Sequence, residues 1–233
     1  MKKHVVIKVW IVAVVCALFF STAPVWASPI YYNLTGVSFP AYISADVSMN
    51  YDPLAAALTV SVTNTSSADQ SSITAFAFNV PGNIQGISDF SMTPNPGVED
   101  YWSDLYNLDD INTPGQFGWF DVAGITKNKF ISGFVEKGIF QGATFIFTFI
   151  FAGDGLDSLA TSDFDIPSYE TNENDDLQPV IVRFQGIGPD DDSDVAIPGG
   201  APPTSTNVPL PGAFWLLGSG LLGLIGLGRK RFS

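Results

Sequence analysis

Thr144-Phe145-Ile146-Phe147-Thr148-Phe149-Ile150-Phe151 is the stretch that decides the fold. Successive side chains of a strand point to opposite faces. Phe145, Phe147, Phe149 and Phe151 therefore line one face, and Thr144, Ile146, Thr148 and Ile150 the other. A row of four rings needs an apolar layer packed against it. Because both faces are largely apolar, the segment reads as a central strand and not an edge. Ala152-Gly153-Asp154-Gly155 ends it with turn chemistry.

The same period of two recurs on either side. In Ser44–Tyr51, Ala45, Val47, Met49 and Tyr51 alternate with Ser44, Asp46, Ser48 and Asn50, and Tyr51-Asp52-Pro53 turns the chain. In Leu58–Thr63, Leu58, Val60 and Val62 face inward and Thr59, Ser61 and Thr63 outward. Further strands are predicted near Ile30–Leu34 and at Ile73–Val80, Gly118–Ala123, Phe130–Val135 and Val180–Gly186. Pro81-Gly82-Asn83 closes the Ile73–Val80 run. That makes about eight short strands set off by Gly, Pro, Asn and Asp. The body has no helical periodicity of comparable length and no internal repeat. The fold expected for residues 28–190 is all-β, an antiparallel β-sandwich of jelly-roll or Greek-key-like type. Residues 84–116 are the least regular, holding Pro94, Pro96 and Pro114. Glu99–Tyr106 within them reads as one helical turn or an ordered loop. Ser158–Ser168 reads as a loop anchored by Phe164 and Ile166, and Glu170–Asp176 as an acidic loop.

Charge divides the chain. All 23 acidic residues lie between Asp46 and Asp194, whereas only Lys127, Lys129, Lys137 and Arg183 of the 10 Lys and Arg belong to the body. Four cations against 23 acids leave the body at −19. A surface of that sign excludes nucleic acid, whose phosphates need cationic partners, and docking on anionic head groups.

Residues 1–27 read as a secretory signal peptide. Lys2, Lys3 and Lys8 form a basic start, Val9–Phe20 an apolar core too short to span a bilayer, and Val25-Trp26-Ala27 a small-residue cleavage site. Signal peptidase would cut between Ala27 and Ser28. The sole Cys, Cys16, and the sole His, His4, fall inside this leader. The exported body thus lacks thiolate chemistry, His-activated nucleophiles, His-ligated zinc and disulfides. Carboxylate-only catalysis stays open to it, and the body is read as not an enzyme. Residues 191–207 read as a flexible linker, with Ile197–Asn207 uncharged and rich in Pro, Gly, Ser and Thr.

The last 26 residues have three parts: Val208-Pro209-Leu210-Pro211, an uncharged apolar span 210–228, and Arg229-Lys230-Arg231. At about 1.5 Å per residue such a span as a transmembrane helix matches a bilayer core of ~30 Å, with the basic tip held on the cytoplasmic side. This tail resembles the sorting signal of PEP-CTERM proteins, most closely the VPLPA-type variant. Leu210 stands where the founding motif has Glu, and Gly212 where the variant usually has Ala. The resemblance implies an exosortase as partner, acting at or near the proline motif. It implies an inner-membrane intermediate with its body in the periplasm, then display at the cell surface or in the extracellular matrix. It also implies association with exopolysaccharide, because such tails occur with exopolysaccharide gene sets. The function implied is that of an exported surface or matrix protein with a structural or adhesive body. A carbohydrate-binding module is the alternative and a carboxylate-dependent glycan hydrolase the third reading.

Three groups in the body could carry chemistry. Asp190, Asp191, Asp192 and Asp194 offer oxygens for calcium but lack the spacing of a calcium loop with a closing Glu. They read first as a solvated acidic run, and Asp154 and Asp157 as a strand-ending turn. Tyr101, Trp102, Tyr106 and Trp119 could form an aromatic platform for sugar rings, against the commoner role of such rings in a core. Asn33-Leu34-Thr35 and Asn64-Thr65-Ser66 match the glycosylation pattern and in a bacterial exported protein read as chance matches.

Overall fold

The computed structural model describes residues 28–67, 71–93, 102–113, 117–127, 129–170 and 175–199; for 107–110 it describes only the backbone. The leader, the cleavage residue Ala27, the sorting motif 208–211, the span 210–228 and the basic tip 229–231 lie outside these residues. Among the described residues no helix is long and apolar enough to cross a membrane.

The expected antiparallel all-β body is present. Eleven strands form one hydrogen-bonded sheet: β1 (Ile30–Gly36), β2 (Ser44–Asp52), β3 (Ala57–Asn64), β4 (Ser72–Phe78), β5 (Ile84–Thr93), β6 (Ser103–Asn112), β7 (Trp119–Ile125), β8 (Ile139–Phe140), β9 (Thr144–Gly153), β10 (Val180–Ile187) and β11 (Asp192–Pro198). Their order is β5-β9-β3-β2-β1-β11-β10-β4-β7-β6, with β8 beside β4. The sheet doubles over until it is nearly a barrel, so that β9 and β4 face each other across the core. Phe76 and Phe78 of β4 meet Phe147 and Phe149 of β9, with centroids 4.7 Å apart for Phe76–Phe147 and 5.4 Å for Phe78–Phe149. The tilted and edge-on geometries are those the ring quadrupole favours, each adding about 0.5–1.5 kcal/mol beyond burial. A methyl group on Gly124 of β7 would run into the fully buried Phe76 ring, so only glycine fits there.

The phenylalanine row thus faces the core as its spacing predicts. Its strand β9 lies between β3 and β5, inside the sheet but one place from its edge. The opposite face is less enclosed than its composition suggests, since Ile146 is 41% exposed. Phe164 is fully buried, packed 4.9 Å from Tyr51 and 5.9 Å from Phe151.

Four expectations need correction. Two separate sheets were expected, but hydrogen bonding runs continuously because β11 joins β1 to β10. Residues 191–207 were expected to be linker, yet Asp192–Pro198 is a strand inside the sheet, with Val195 and Ala196 buried. Its acids disguised it: Asp192 and Ser193 face solvent, whereas Asp194 is buried against backbone donors. Glu99–Tyr106 was expected to be a turn or loop. Tyr101 and the residues before it lie outside the described set, and Ser103 begins β6. Phe130–Val135 is not a strand. It folds as a short bridged turn, Lys129 pairing Ser132, followed by the 3-10 turn Val135–Lys137. Phe130 serves instead in a second, smaller core with Phe117, Phe120 and Ile181.

Asp194 fastens the junction made by β11. One carboxylate oxygen accepts from the N–H groups of Ser38 (3.0 Å) and Val195 (2.8 Å), and the other from Phe39 (2.9 Å) and, at 3.1 Å, Ser38. The loop after β1 is thereby bound to β11. Arg183 of β10 is its electrostatic counterpart. Burial lowers the guanidinium pKa and Asp194 acts to raise it. One guanidinium nitrogen donates to Ser193 Oγ at 3.1 Å, and Nε has no partner. A carboxylate taken out of water at this depth is tolerable because several donors replace its hydration.

Candidate functional site

The inward alternation of β1, β2 and β3 builds the core, and their outward positions build a face. Register sets which residues share it. Asn33 pairs with Asp46 and Asp46 with Thr63, while Tyr31 pairs with Ser48 and Ser48 with Ser61. The rows continue onto β9, where Thr63 pairs with Thr144 and Ser61 with Ile146. Successive members of such a cross-strand row lie about 4.8 Å apart, one strand spacing.

A groove of about 240 Å³ runs over this face, with Tyr31, Asn33, Asp46, Ser48, Ser61 and Thr63 on its walls. Side chains along the rows hold one another. Asn33 Nδ2 donates to Asp46 Oδ1 at 2.7 Å, Thr63 and Thr144 share a 2.8 Å hydroxyl bond, and Thr65 Oγ1 donates to Ser44 Oγ at 3.0 Å. Tyr31 is 43% exposed and offers a ring with an apolar body and a polar tip. Tyr32, its inward neighbour, closes the floor. Its hydroxyl donates to Asp165 Oδ1 at 2.6 Å, and burial, followed by that carboxylate, raises its pKa well above the ordinary tyrosine value. It is therefore a fixed donor at neutral pH and holds the segment at 165 against β1.

A second groove, of about 390 Å³, follows the seam where the two sheet edges approach, between β5 and β6. Ser88, Asp89, Phe90, Ser103 and Asp104 border it. The edges are blunted. β5 carries register shifts at Ile84–Gly86 and Ile87–Asp89, and β6 one between Tyr106 and Ile111. Bulges and acidic side chains on an edge strand discourage pairing with another chain.

The aromatic platform is not seen among the described residues, and Trp102 takes the commoner role of such a ring, in the core. Trp102 is 4% exposed, 4.8 Å from Phe147, and donates its indole N–H to Lys137 O at 2.9 Å. The ring also borders the second groove, but filling the core and binding an acceptor at its polar edge leave it only a margin there and no open face for a ligand. Tyr106 is partly buried, its hydroxyl bonded to Ile84 O at 3.0 Å and its pKa raised by burial and then by Asp121. Trp119 sits in β7, with reciprocal 3.0 Å backbone hydrogen bonds to Tyr169. Tyr101 lies outside the described residues. The exposed aromatic of the groove is Tyr31, which the alternation of Ile30–Leu34 could have flagged as outward.

The other candidates also find places. Asp190 and Asp191 occupy the exposed turn between β10 and β11, and Asp191 adopts φ 54°. Asp192 faces solvent beside them and Asp194 turns inward, so the four carboxylates do not converge. Asp154 and Asp157 are exposed in the turn after β9. Among the described residues no group of three or more His, Cys, Asp or Glu side chains is arranged to hold a metal. Asn64 is fully buried and its amide binds the carbonyls of Ser71 and Ile139, a structural role that leaves nothing to modify. Ser28, the first residue after the expected cleavage, is exposed ahead of β1.

Compared with known protein families, characterised proteins and solved structures, the chain matches none.

Proposed function

We propose that this protein is exported by its leader, sorted by an exosortase at the Val208–Pro211 motif, and used at the cell surface or in the matrix as an adhesive body. Its adhesion is to polysaccharide, through the outward face of β1, β2 and β3. The carrying observation is the groove itself. A half-exposed tyrosine ring stands among hydroxyl, amide and carboxylate groups held in cross-strand rows. Sugar rings present C–H faces that stack on an aromatic ring and hydroxyls that exchange with such a polar set. The shallowness of the groove suits an extended polymer more than a small molecule. The repeated crossing of the chain between the two halves of the sheet is read as Greek-key, jelly-roll-like, with the tail as the membrane-spanning helix of the sorting intermediate.

One preparation tests both parts. Protein recovered from its host is weighed intact and then co-sedimented with the host's insoluble polysaccharide. A chain beginning at Ser28 and ending near Pro211 only when the exosortase works is the expected mass. Retention by the polysaccharide, lost in Tyr31→Ala, is the expected behaviour of the body. A full-length C-terminus in both strains refutes sorting, and undiminished retention of Tyr31→Ala refutes the face.

A further inference from the structure

Resting on the polysaccharide reading of the β1–β2–β3 face, we infer that this site prefers a glycan bearing free amino groups, an amino-sugar polymer, over uronate- or phosphate-bearing chains. Three observations converge on the groove. Asp46 lines it, and Asn33 Nδ2 holds Oδ1 of that carboxylate at 2.7 Å while no described donor takes Oδ2. The side chain is thus aimed by a neighbour and keeps acceptor capacity, because a carboxylate accepts at both oxygens. Its neighbours on the walls are neutral, so nothing in the groove neutralises it.

The second observation is where the cations are. Lys127, Lys129 and Lys137 belong to the segment between β7 and β8, which packs on β4, and Arg183 to β10. All four of the body's cations lie in the other half of the sheet. A carboxylate or phosphate arriving at the groove meets Asp46 and no counter-charge. The third is the body's formal charge of −19. It sets a field that slows anionic polymers and speeds cationic ones before contact. At the groove an ammonium group gains the Asp46 oxygen as a charge-assisted acceptor. Tyr31 stacks the ring, and the Ser48, Ser61 and Thr63 hydroxyls take the rest. Successive side chains of one row, about one strand spacing apart, also suit a β-1,4-linked chain laid across the strands, one sugar per strand.

The test uses the full chain in detergent micelles, with chelator present to exclude bridging cations. Its probes are oligomers of glucosamine, N-acetylglucosamine and galacturonate of equal length, titrated by calorimetry. The glucosamine oligomer is expected to bind tightest, and the galacturonate oligomer not at all. Asp46→Asn should weaken glucosamine binding about fivefold, the scale of one exposed charge pair, and leave N-acetylglucosamine binding unchanged. Asp190→Asn, in the exposed β10–β11 turn, should change neither. Equal losses in Asp46→Asn and Asp190→Asn would mean diffuse surface charge and overturn the inference. Galacturonate binding as tight as glucosamine would do the same. N-acetylglucosamine binding that depends on Tyr31 with no amino preference leaves the polysaccharide reading standing and removes only this one. No binding of any oligomer, with Tyr31→Ala indistinguishable from the unaltered chain, removes both.

Discussion

Replacing Asp194 by Asn keeps the side chain's size and removes its charge, which isolates what the carboxylate does. Its oxygens divide three backbone donors, Oδ1 serving Ser38 and Val195 and Oδ2 serving Phe39 and, more loosely, Ser38. An amide has one oxygen. Either orientation turns an NH₂ group toward an N–H that had an acceptor. A hydrogen bond to a charged group contributes about 1.5–3 kcal/mol, and a buried donor left without a partner costs about 1–3 kcal/mol. The surviving bonds weaken as well, since their acceptor is now neutral, and Arg183 loses its counter-charge. The sum is a loss of roughly 4 kcal/mol, a large part of the 5–15 kcal/mol that holds a typical domain. For a domain of this size that corresponds to a fall in Tm of roughly 10 °C. Urea unfolding of the chain from Ser28 to Gly199, followed by the emission of its two tryptophans, Trp102 and Trp119, reads it directly. Asp190→Asn, on the exposed turn, is the control and should stay within about 0.5 kcal/mol. If Asp194→Asn unfolds within about 1 kcal/mol of the unaltered chain, the carboxylate does not fasten the junction and the reasoning fails.

Ending the chain at Asp190 removes β11 and with it, among the described residues, the strand that links β1 to β10 in the sheet. That product should show β-rich far-ultraviolet dichroism without a cooperative transition, while the chain ending at Gly199 melts cooperatively; equal cooperativity would contradict the role given to β11. At alkaline pH, Tyr32, Tyr51 and Tyr106 matter together, because burial raises the pKa of each in the fold. A folded pKa above the unfolded value of about 10 means that the stabilisation is complete below that pH and is lost as pH rises beyond it. Tyr32→Phe should therefore cost about 1–2 kcal/mol at pH 7 by losing the bond to Asp165, and make the decline in stability above pH 10 shallower; an unchanged alkaline slope would show that Tyr32 does not drive it.

Much of the fold is legible in the sequence because much of it alternates. Ser44–Tyr51, Leu58–Thr63 and the phenylalanine row each carry a period of two that only a half-buried strand explains. What was missed has physical reasons. In β5 the register shifts at Ile84–Gly86 and Ile87–Asp89 break the alternation, so the period is lost where the strand bulges. In β6 the edge position tolerates acids that an inner strand would exclude. β11 was hidden by four aspartates within five residues. The donors that make one of them buriable, Ser38 and Phe39, are 156 and 155 residues away in sequence. The groove was legible in parts, since Asp46, Ser48, Ser61 and Thr63 fall on outward positions. Its assembly required the register of three strands, which no single segment encodes. Trp102 is the opposite case: the core role was the commoner expectation, but its partner was not legible. A tryptophan in an irregular stretch suggests exposure, and the acceptor that draws it inward, the carbonyl of Lys137, lies 35 residues on.

β11 ends at Pro198 opposite Leu34, and the next N–H, of Gly199, is bonded to Asn33 O at 3.0 Å. Whatever tension the chain beyond Gly199 delivers therefore enters the domain through β11, which β1 holds at Ala196–Pro198 and β10 at Asp192–Ala196. A pull along that strand meets the β1 ladder first and then the β10 ladder, where the Asp194 clamp sits. A ladder sheared along its strand yields at higher force than a hairpin peeled open bond by bond. Under load from that end, the first part of the domain to fail should be the last strand, β11, and not the β1–β2–β3 face.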